Sequence, residues 1–296
     1  MQKDFSPAEI LSATRYEQEK TSDTVKLAAS LIGNEATVLE IGPATGMLTR
    51  IIATEQRCQV TAIEIDADAA ELTRPLCKAI HVADIDTVEL STLLGDQKFD
   101  VATFGDVLEH LRSPVGALKK VKPYLTDGGC VVLSVPNIAH ASIAYELANG
   151  RFDYRPTGLL DVTHIHFFTR KSLLLAIEEA GYVVTDFERI TMRPEQTEFK
   201  TRAYGEGQQQ LLQYFQAVNP ESNTYQFVAR IVPRKGNGPY VTEAVVAQLV
   251  QKVEFLQGQM DVQRARAERL ESELHWIEDR WHVRFARRLK RFLSAP

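Results

Sequence analysis

Cysteine is scarce. Cys58, Cys77 and Cys130 are the only three in 296 residues, far apart and odd in number. That argues against a disulfide framework and a cysteine-built zinc site, and it suits a reducing, cytoplasmic setting. No run of 18 or more apolar residues occurs, so no membrane-spanning helix is expected. The first thirty residues are polar and mixed in charge, without the basic start and apolar run of a secretion signal. Positive charge is also in deficit. The net charge of −5 speaks against nucleic acid as a partner. The deficit is uneven, because residues 280–291 carry six Lys/Arg and no acid, which leaves the rest at −11. A basic end on an acidic body suggests a separate job for the tail. What remains is ordinary: 44% hydrophobic and 25% charged residues describe a globular chain long enough to bury a sizeable core.

Residues 36–190 alternate short β-rich runs with helical stretches. ATVLEI, QVTAIEI, AIHVAD, FDVATFG, CVVLSVP and YVVTDFERI read as strands, and KPYLTDGG (122–129) as a turn before the fifth. Continuous apolar strands separated by helices predict a doubly wound, mostly parallel α/β sheet covered on both faces. A helix is expected at 207–218 and a last strand at 224–232. This gives a helical cap over 1–34, a main domain over 35–232, a linker over 233–241 and a separate tail over 242–296. In the tail, Val246, Leu249, Val253, Leu256, Met260, Gln263, Ala267, Leu270, Leu274, Ile277 and Trp281 recur at alternating spacings of three and four. That heptad stripe predicts a coiled coil, open to self-association or to another partner. Its end, 281–293, is basic and amphipathic and could lie on an anionic membrane surface, placing the protein in the cytoplasm at the inner face.

VLEIGPATG (38–46) carries the chemistry. A buried strand runs into a turn with Gly42 and Gly46, and a helix opens there. Glycine permits positive φ and close backbone approach, and free helix N–H groups suit a carboxylate. Glu64 ends the next strand, where a carboxylate can accept both hydroxyls of a ribose. Asp84 ends the third, within reach of an adenine edge. The turn has no lysine for a phosphate loop, and its G-x-x-x-G spacing is not the dinucleotide fingerprint. A nucleoside without a pyrophosphate is the reading left.

VLEIGPATG, AIEID, HVAD and FDVATFGDVLEHL resemble, in order, the motifs of class I S-adenosylmethionine-dependent methyltransferases. The resemblance implies the Rossmann-like fold of that family and S-adenosylmethionine as cofactor. It sets Glu40, Gly42 and Gly46 against the methionine part, Glu64 at the ribose, Asp84 at the adenine edge and Ile65 on the adenine face. Asp106 is counted with the cofactor contacts. Ala44 stands where the family usually has glycine. The segment 134–182 looks like methyltransferases of bacterial surface-polysaccharide and glycan assembly, which implies a sugar or glycan acceptor. DVLEHL with a later TH also resembles ubiquinone-pathway O-methyltransferases, which implies a small quinone-type acceptor. A non-catalytic scaffold of a glycan-assembly complex is the alternative from another class.

Asp106, Glu109 and His110 are spaced to share one face of a helix after the fourth strand. His164 and His166 follow in THIHFF. Two chemistries stay open. His110 or His164 could act as general base on an acceptor hydroxyl. Alternatively, Glu109, His110 and His164 could hold a divalent cation, since the spacing is similar to a metal-binding pattern of plant small-RNA 2′-O-methyltransferases. The plain structural alternative is that the acids favour a helix amino end and His110 borders the cofactor. RFDYRPTGLL (151–160), with Arg151 and Arg155, reads as a lid whose arginines could grip a phosphate or carboxylate. Arg15 and Tyr16 are further candidates in the cap.

Overall fold

The strands of 37–136 carry almost no polar alternation. Side chains on both faces of Thr37–Ile41, Gln59–Glu64 and Phe99–Gly105 are buried, which requires helices on both sides of the sheet. A computed structural model describes residues 23–199, 206–236, 256–273 and 275–276. The chain divides into two compact units, Met1–Thr242 and Glu243–Pro296.

In the first unit, α1 (Asp23–Ile32) precedes β1 (Thr37–Ile41), α2 (Met47–Arg50, continued as a π-helical turn to Glu55), β2 (Gln59–Glu64), α3 (Ala67–Thr73) and β3 (Ala79–Val82). Then come α4 (Leu90–Leu94), β4 (Phe99–Gly105), α5 (Pro114–Val121), β5 (Leu125–Pro136), α6 (Ala141–Ala148), α7 (Arg170–Glu179), β6 (Tyr182–Thr191), α8 (Glu206–Val218) and β7 (Thr224–Pro233). The seven strands stand in the order β3-β2-β1-β4-β5-β7-β6. Strands β1 to β5 pair in parallel. Strand β7 inserts antiparallel between β5 and β6. The order reverses between β1 and β4, so the carboxyl ends of these two strands flank a crevice, the usual ligand position in such sheets.

One face of the sheet packs Ile41, Ile63, Phe104 and Leu133 against Leu118 and Leu173. The other packs Val38, Val60, Val101 and Val132 against Ala28, Ile32 and Ile52. The expected doubly wound α/β architecture is therefore present. Two local expectations change. The segment expected as a turn at 122–129 is a short 3-10 turn (Lys122–Tyr124), after which β5 starts at Leu125. The register with β4 shifts between Phe99 and Val101, so Gly128 and Gly129 fall in an irregular stretch of strand. The α-helix expected from Asp106 does not form there: Leu108–His110 is a single 3-10 turn, and α5 starts at Pro114, a residue suited to the first helical position.

In the second unit, residues 256–273 are helical. The rest of the heptad stripe lies outside the described residues, as do the basic end 281–293, Arg15 and Tyr16. Among the described residues no helix is long and apolar enough to cross a membrane.

Leu133 is fully buried on central strand β5. Leu133→Ala should destabilise the first unit by about 3 kcal/mol, read as a lower urea midpoint. A loss well under about 1 kcal/mol would contradict its place in the core.

Candidate active site

The turn after β1 is built on positive φ. Gly42 (φ +66°), Ala44 (+47°) and Gly46 (+82°) alternate with ordinary residues. A side chain at Gly42 would meet Val107 Cγ2 at 2.7 Å, and one at Gly46 would meet Thr73 Oγ1 at 3.0 Å. Both glycines are therefore required by conformation and by space. Ala44 takes up the left-handed conformation despite its Cβ, and its carbonyl accepts a hydrogen bond from Thr73 Oγ1 at 2.8 Å.

Glu64 closes this turn from the side. Its carboxylate accepts the Ala44 N–H at 2.8 Å and the Asp66 N–H at 2.9 Å. The Gly42 N–H donates to the Ile63 carbonyl at 2.9 Å, so the ends of β1 and β2 are tied twice. Each carboxylate oxygen keeps a further lone pair for an incoming hydroxyl. Beside it, Ile65 is 68% exposed, an apolar surface with no protein cover. The Ala83 N–H donates to the Glu64 carbonyl, which sets Asp84 just beyond the neighbouring strand end. Asp84 caps its own turn by accepting the Asp86 N–H at 2.8 Å. Glu40 is buried in β1 and accepts Thr49 Oγ1 at 2.8 Å. Burial, with a smaller contribution from Glu64, pushes its carboxyl up to about 7 against a hydrogen bond that lowers it.

Asp106 also has a positive φ, +54°. Its Oδ1 accepts Ser134 Oγ at 2.7 Å and the Gln226 side-chain amide. Gln226 in turn accepts Thr24 Oγ1 of α1. Asp106 thus links β4, β5, β7 and α1. Thr24, Ser134 and Gln226 were not legible in the sequence, because nothing local marks contacts that span 28, 120 and 202 positions.

The 3-10 turn after Asp106 points Glu109 inward and leaves His110 exposed. Glu109 is 1% exposed, and neither carboxylate oxygen has a hydrogen-bond partner among the described residues. Burial, then the nearby acids Asp106 and Asp161, raise its carboxyl well above the usual range. The Glu109 carbonyl accepts the N–H groups of Ile165 and His166 at 2.9 Å each, and this pins the THIHFF segment to the turn. His164 is buried, its ring centroid 4.8 Å from that of His110. Burial, then His110, hold His164 below its ordinary value, which favours the neutral ring. One ligand atom each from Glu109, His110 and His164 lie within 4.8 Å of one another. Thr163 Oγ1 lies 3.1 Å from His110 Nδ1 and donates to Asp161 at 2.6 Å, which orients the exposed ring. His166 does not join the group; its Nε2 lies 3.4 Å from the Arg112 carbonyl.

Of the lid arginines, Arg151 is occupied by an ion pair and Arg155 lies against a ring. Arg151 makes a two-pronged ion pair with Glu146 at 2.7 and 2.8 Å, and Arg155 stacks over Phe199 at 4.5 Å. The expected phosphate grip is therefore not offered by Arg151. Aromatic rings reach the site instead: Phe152 meets Tyr154 and Phe167, and Phe167 meets His164 at 6.2 Å.

Residues 13–186 match the family described as "Methyltransferase domain", more than half of the chain. The chain belongs to this methyltransferase-domain family. The chain is 31% identical over 106 residues to the ubiquinone biosynthesis O-methyltransferase of Serratia proteamaculans (strain 568), covering 35% of this chain and 44% of that protein. It is 28% identical over 167 residues to the protein of the same name from Dinoroseobacter shibae, covering 53% and 64%. The chain thus spans about half the length of the curated relatives it matches. The solved plantazolicin methyltransferase BpumL, in complex with SAH, shares the fold with a TM-score of 0.52 at 15% identity, covering 78% of this chain and 91% of that one.

The Glu40 shift gives a signed pH effect. A buried acid raised in the folded state stabilises least once it must ionise, so ligand-free protein loses stability as pH rises from 4.5 through about 7. Glu40→Gln should remove a loss on the order of 3 kcal/mol over that window. Identical urea-denaturation profiles for wild type and variant from pH 4.5 to 8 would contradict the assignment.

Proposed function

We propose that this methyltransferase moves a methyl group from S-adenosylmethionine to a hydroxyl oxygen. The observation that carries the reading is the glycine turn held by Glu64: a cradle that any Cβ at Gly42 or Gly46 would fill, with a carboxylate beside it. When bound, the cofactor supplies a methyl carbon on a positively charged sulfur, with that sulfur as leaving group. Glu40, Gly42 and Gly46 would face the methionine part, Glu64 the ribose hydroxyls, Asp84 the adenine edge and Ile65 its face. Asp106, held by Ser134 and Gln226, would brace the floor beneath them. The protein's main task is alignment, because in-line displacement depends on placing the acceptor oxygen behind the methyl carbon.

The hydroxyl must also lose its proton, and the Glu109–His110–His164 group is suited to that. The two readings of this group part on Glu109. A histidine base has no need of a buried carboxylate with bare oxygens, whereas a divalent cation does, since an unpartnered buried carboxylate is costly. Glu109, His110 and His164 would hold such a cation, with mixed oxygen and nitrogen donors suited to Mg, Mn or Fe. Bound there, it would acidify an acceptor hydroxyl. Without it, His110, exposed and oriented by Thr163, is the remaining group to take the proton.

The acceptor reading is a quinone-type aromatic hydroxyl. It draws support from the curated relatives' names and from the ring series Phe152, Phe167 and His164. A sugar or glycan intermediate is the second reading, favoured by Phe152 and Tyr154 as stacking faces in the lid. In either case the basic segment 281–293 would keep the protein at the inner face of a membrane, near a lipid-borne acceptor.

Two titrations separate these claims. Calorimetry should show saturable S-adenosylmethionine binding, weakened by about ten- to a hundredfold in Glu64→Ala. No heat at millimolar cofactor would favour a non-catalytic scaffold. Chelator-treated protein should take up one Mn2+ per chain, read by electron paramagnetic resonance, and lose it in Glu109→Gln and His164→Ala while cofactor binding persists. No uptake, with activity unchanged by chelator, would leave the base reading.

A further inference from the structure

The helix 256–273 of the second unit leaves its heptad stripe in solvent. Leu256 is 47%, Met260 71% and Leu270 53% exposed, and Gln263 and Ala267 are exposed between them. Apolar positions at heptad spacing on an otherwise charged helix call for a partner helix. The charges beside the stripe say which. Counting Met260 and Ala267 as one seam position, and Gln263 and Leu270 as the other, the flanking edges carry Gln257, Arg264 and Glu271 on one side and Gln259, Arg266 and Glu273 on the other. On each edge a positive residue is followed seven positions later by a negative one. Such an edge is complementary to itself reversed.

We propose that two copies of this chain pair antiparallel through this helix, crossing between Ala267 and Leu270. Like edges face each other in an antiparallel pair. Arg264 then meets the partner's Glu271, and Arg266 meets the partner's Glu273, each twice by symmetry. The seam is complementary too. Ala267 packs against the partner's Leu270, so the alanine in the stripe is covered by leucine. A parallel pair is the poorer fit. It sets Ala267 on Ala267 and Gln263 on Gln263 in consecutive layers. It also gains Arg266 with Glu271, but it leaves Arg264 beside Gln259. Within one helix, Arg264 reaches Glu268 at 3.7 Å and Arg269 reaches Glu273 at 3.5 Å; both pairs are exposed and therefore weak competitors. The surface involved is independent of the catalytic reading.

Sedimentation equilibrium of the full chain tests the proposal. The wild type should dimerise. Arg264→Glu should weaken the dimer by about tenfold, because two attractions become two repulsions. Adding Glu271→Arg to that variant should restore it. A parallel pair gives the opposite pattern: Arg264→Glu has little effect, and the double variant is weakened because Glu271→Arg sets a second positive charge against Arg266. That pattern, or a monomer throughout the micromolar range, would overturn the proposal.

Discussion

The site depends on one carboxylate. Glu64 is buried at the end of β2, and both of its oxygens accept backbone N–H groups, one from the turn after β1 and one from the start of its own loop. Backbone donors on both oxygens fix the orientation of this carboxylate. The turn it holds cannot relax in other ways: Gly42 is closed in by Val107 and Gly46 by Thr73. The result is a turn held from two sides at the point where the strand order reverses, with exposed Ile65 beside it. Rigidity here serves function, because a slot prepared in advance loses less on binding than one that must be ordered.

The second constraint is the short turn 108–110. A positive φ at Asp106 turns the chain at the end of β4, and the turn is then locked by the Glu109 carbonyl accepting two N–H groups of 165–166. Two segments more than fifty residues apart are thereby joined through backbone, with Thr163 against His110 and His166 against Arg112 beside that join. The Glu109 carboxylate is left unpartnered beside two imidazoles, a clear local imbalance among the described residues. In a protein interior such an imbalance marks function more often than stability.

Much of the fold was legible in the sequence. The strand β4 was read with the bounds the structure has, because FDVATFG is apolar on both faces and flanked by breakers. The insertion of β7 between β5 and β6 was not legible, since local pattern does not encode pairing across almost a hundred residues. The spacing of Asp106, Glu109 and His110 suggested an α-helix. Ser113-Pro114, a start signal for α5, could have corrected that. The link from Thr24 through Gln226 to Asp106 had no sequence signal, because each residue is ordinary in its own neighbourhood. Ala44 was singled out as the odd residue of the turn, and its positive φ gives the reason that position usually favours glycine.

S-adenosylmethionine binding depends on the slot formed by the turn after β1 and the carboxyl ends of β2 and β3. Hydrogen–deuterium exchange of the full chain, with and without S-adenosylmethionine, addresses that slot directly. Protection should rise over residues 42–47, 64–66 and 83–88, while β6 and the helix 256–273 stay unchanged. Exchange that is unaltered in those three segments at saturating cofactor, or protection confined to other parts of the chain, would contradict it.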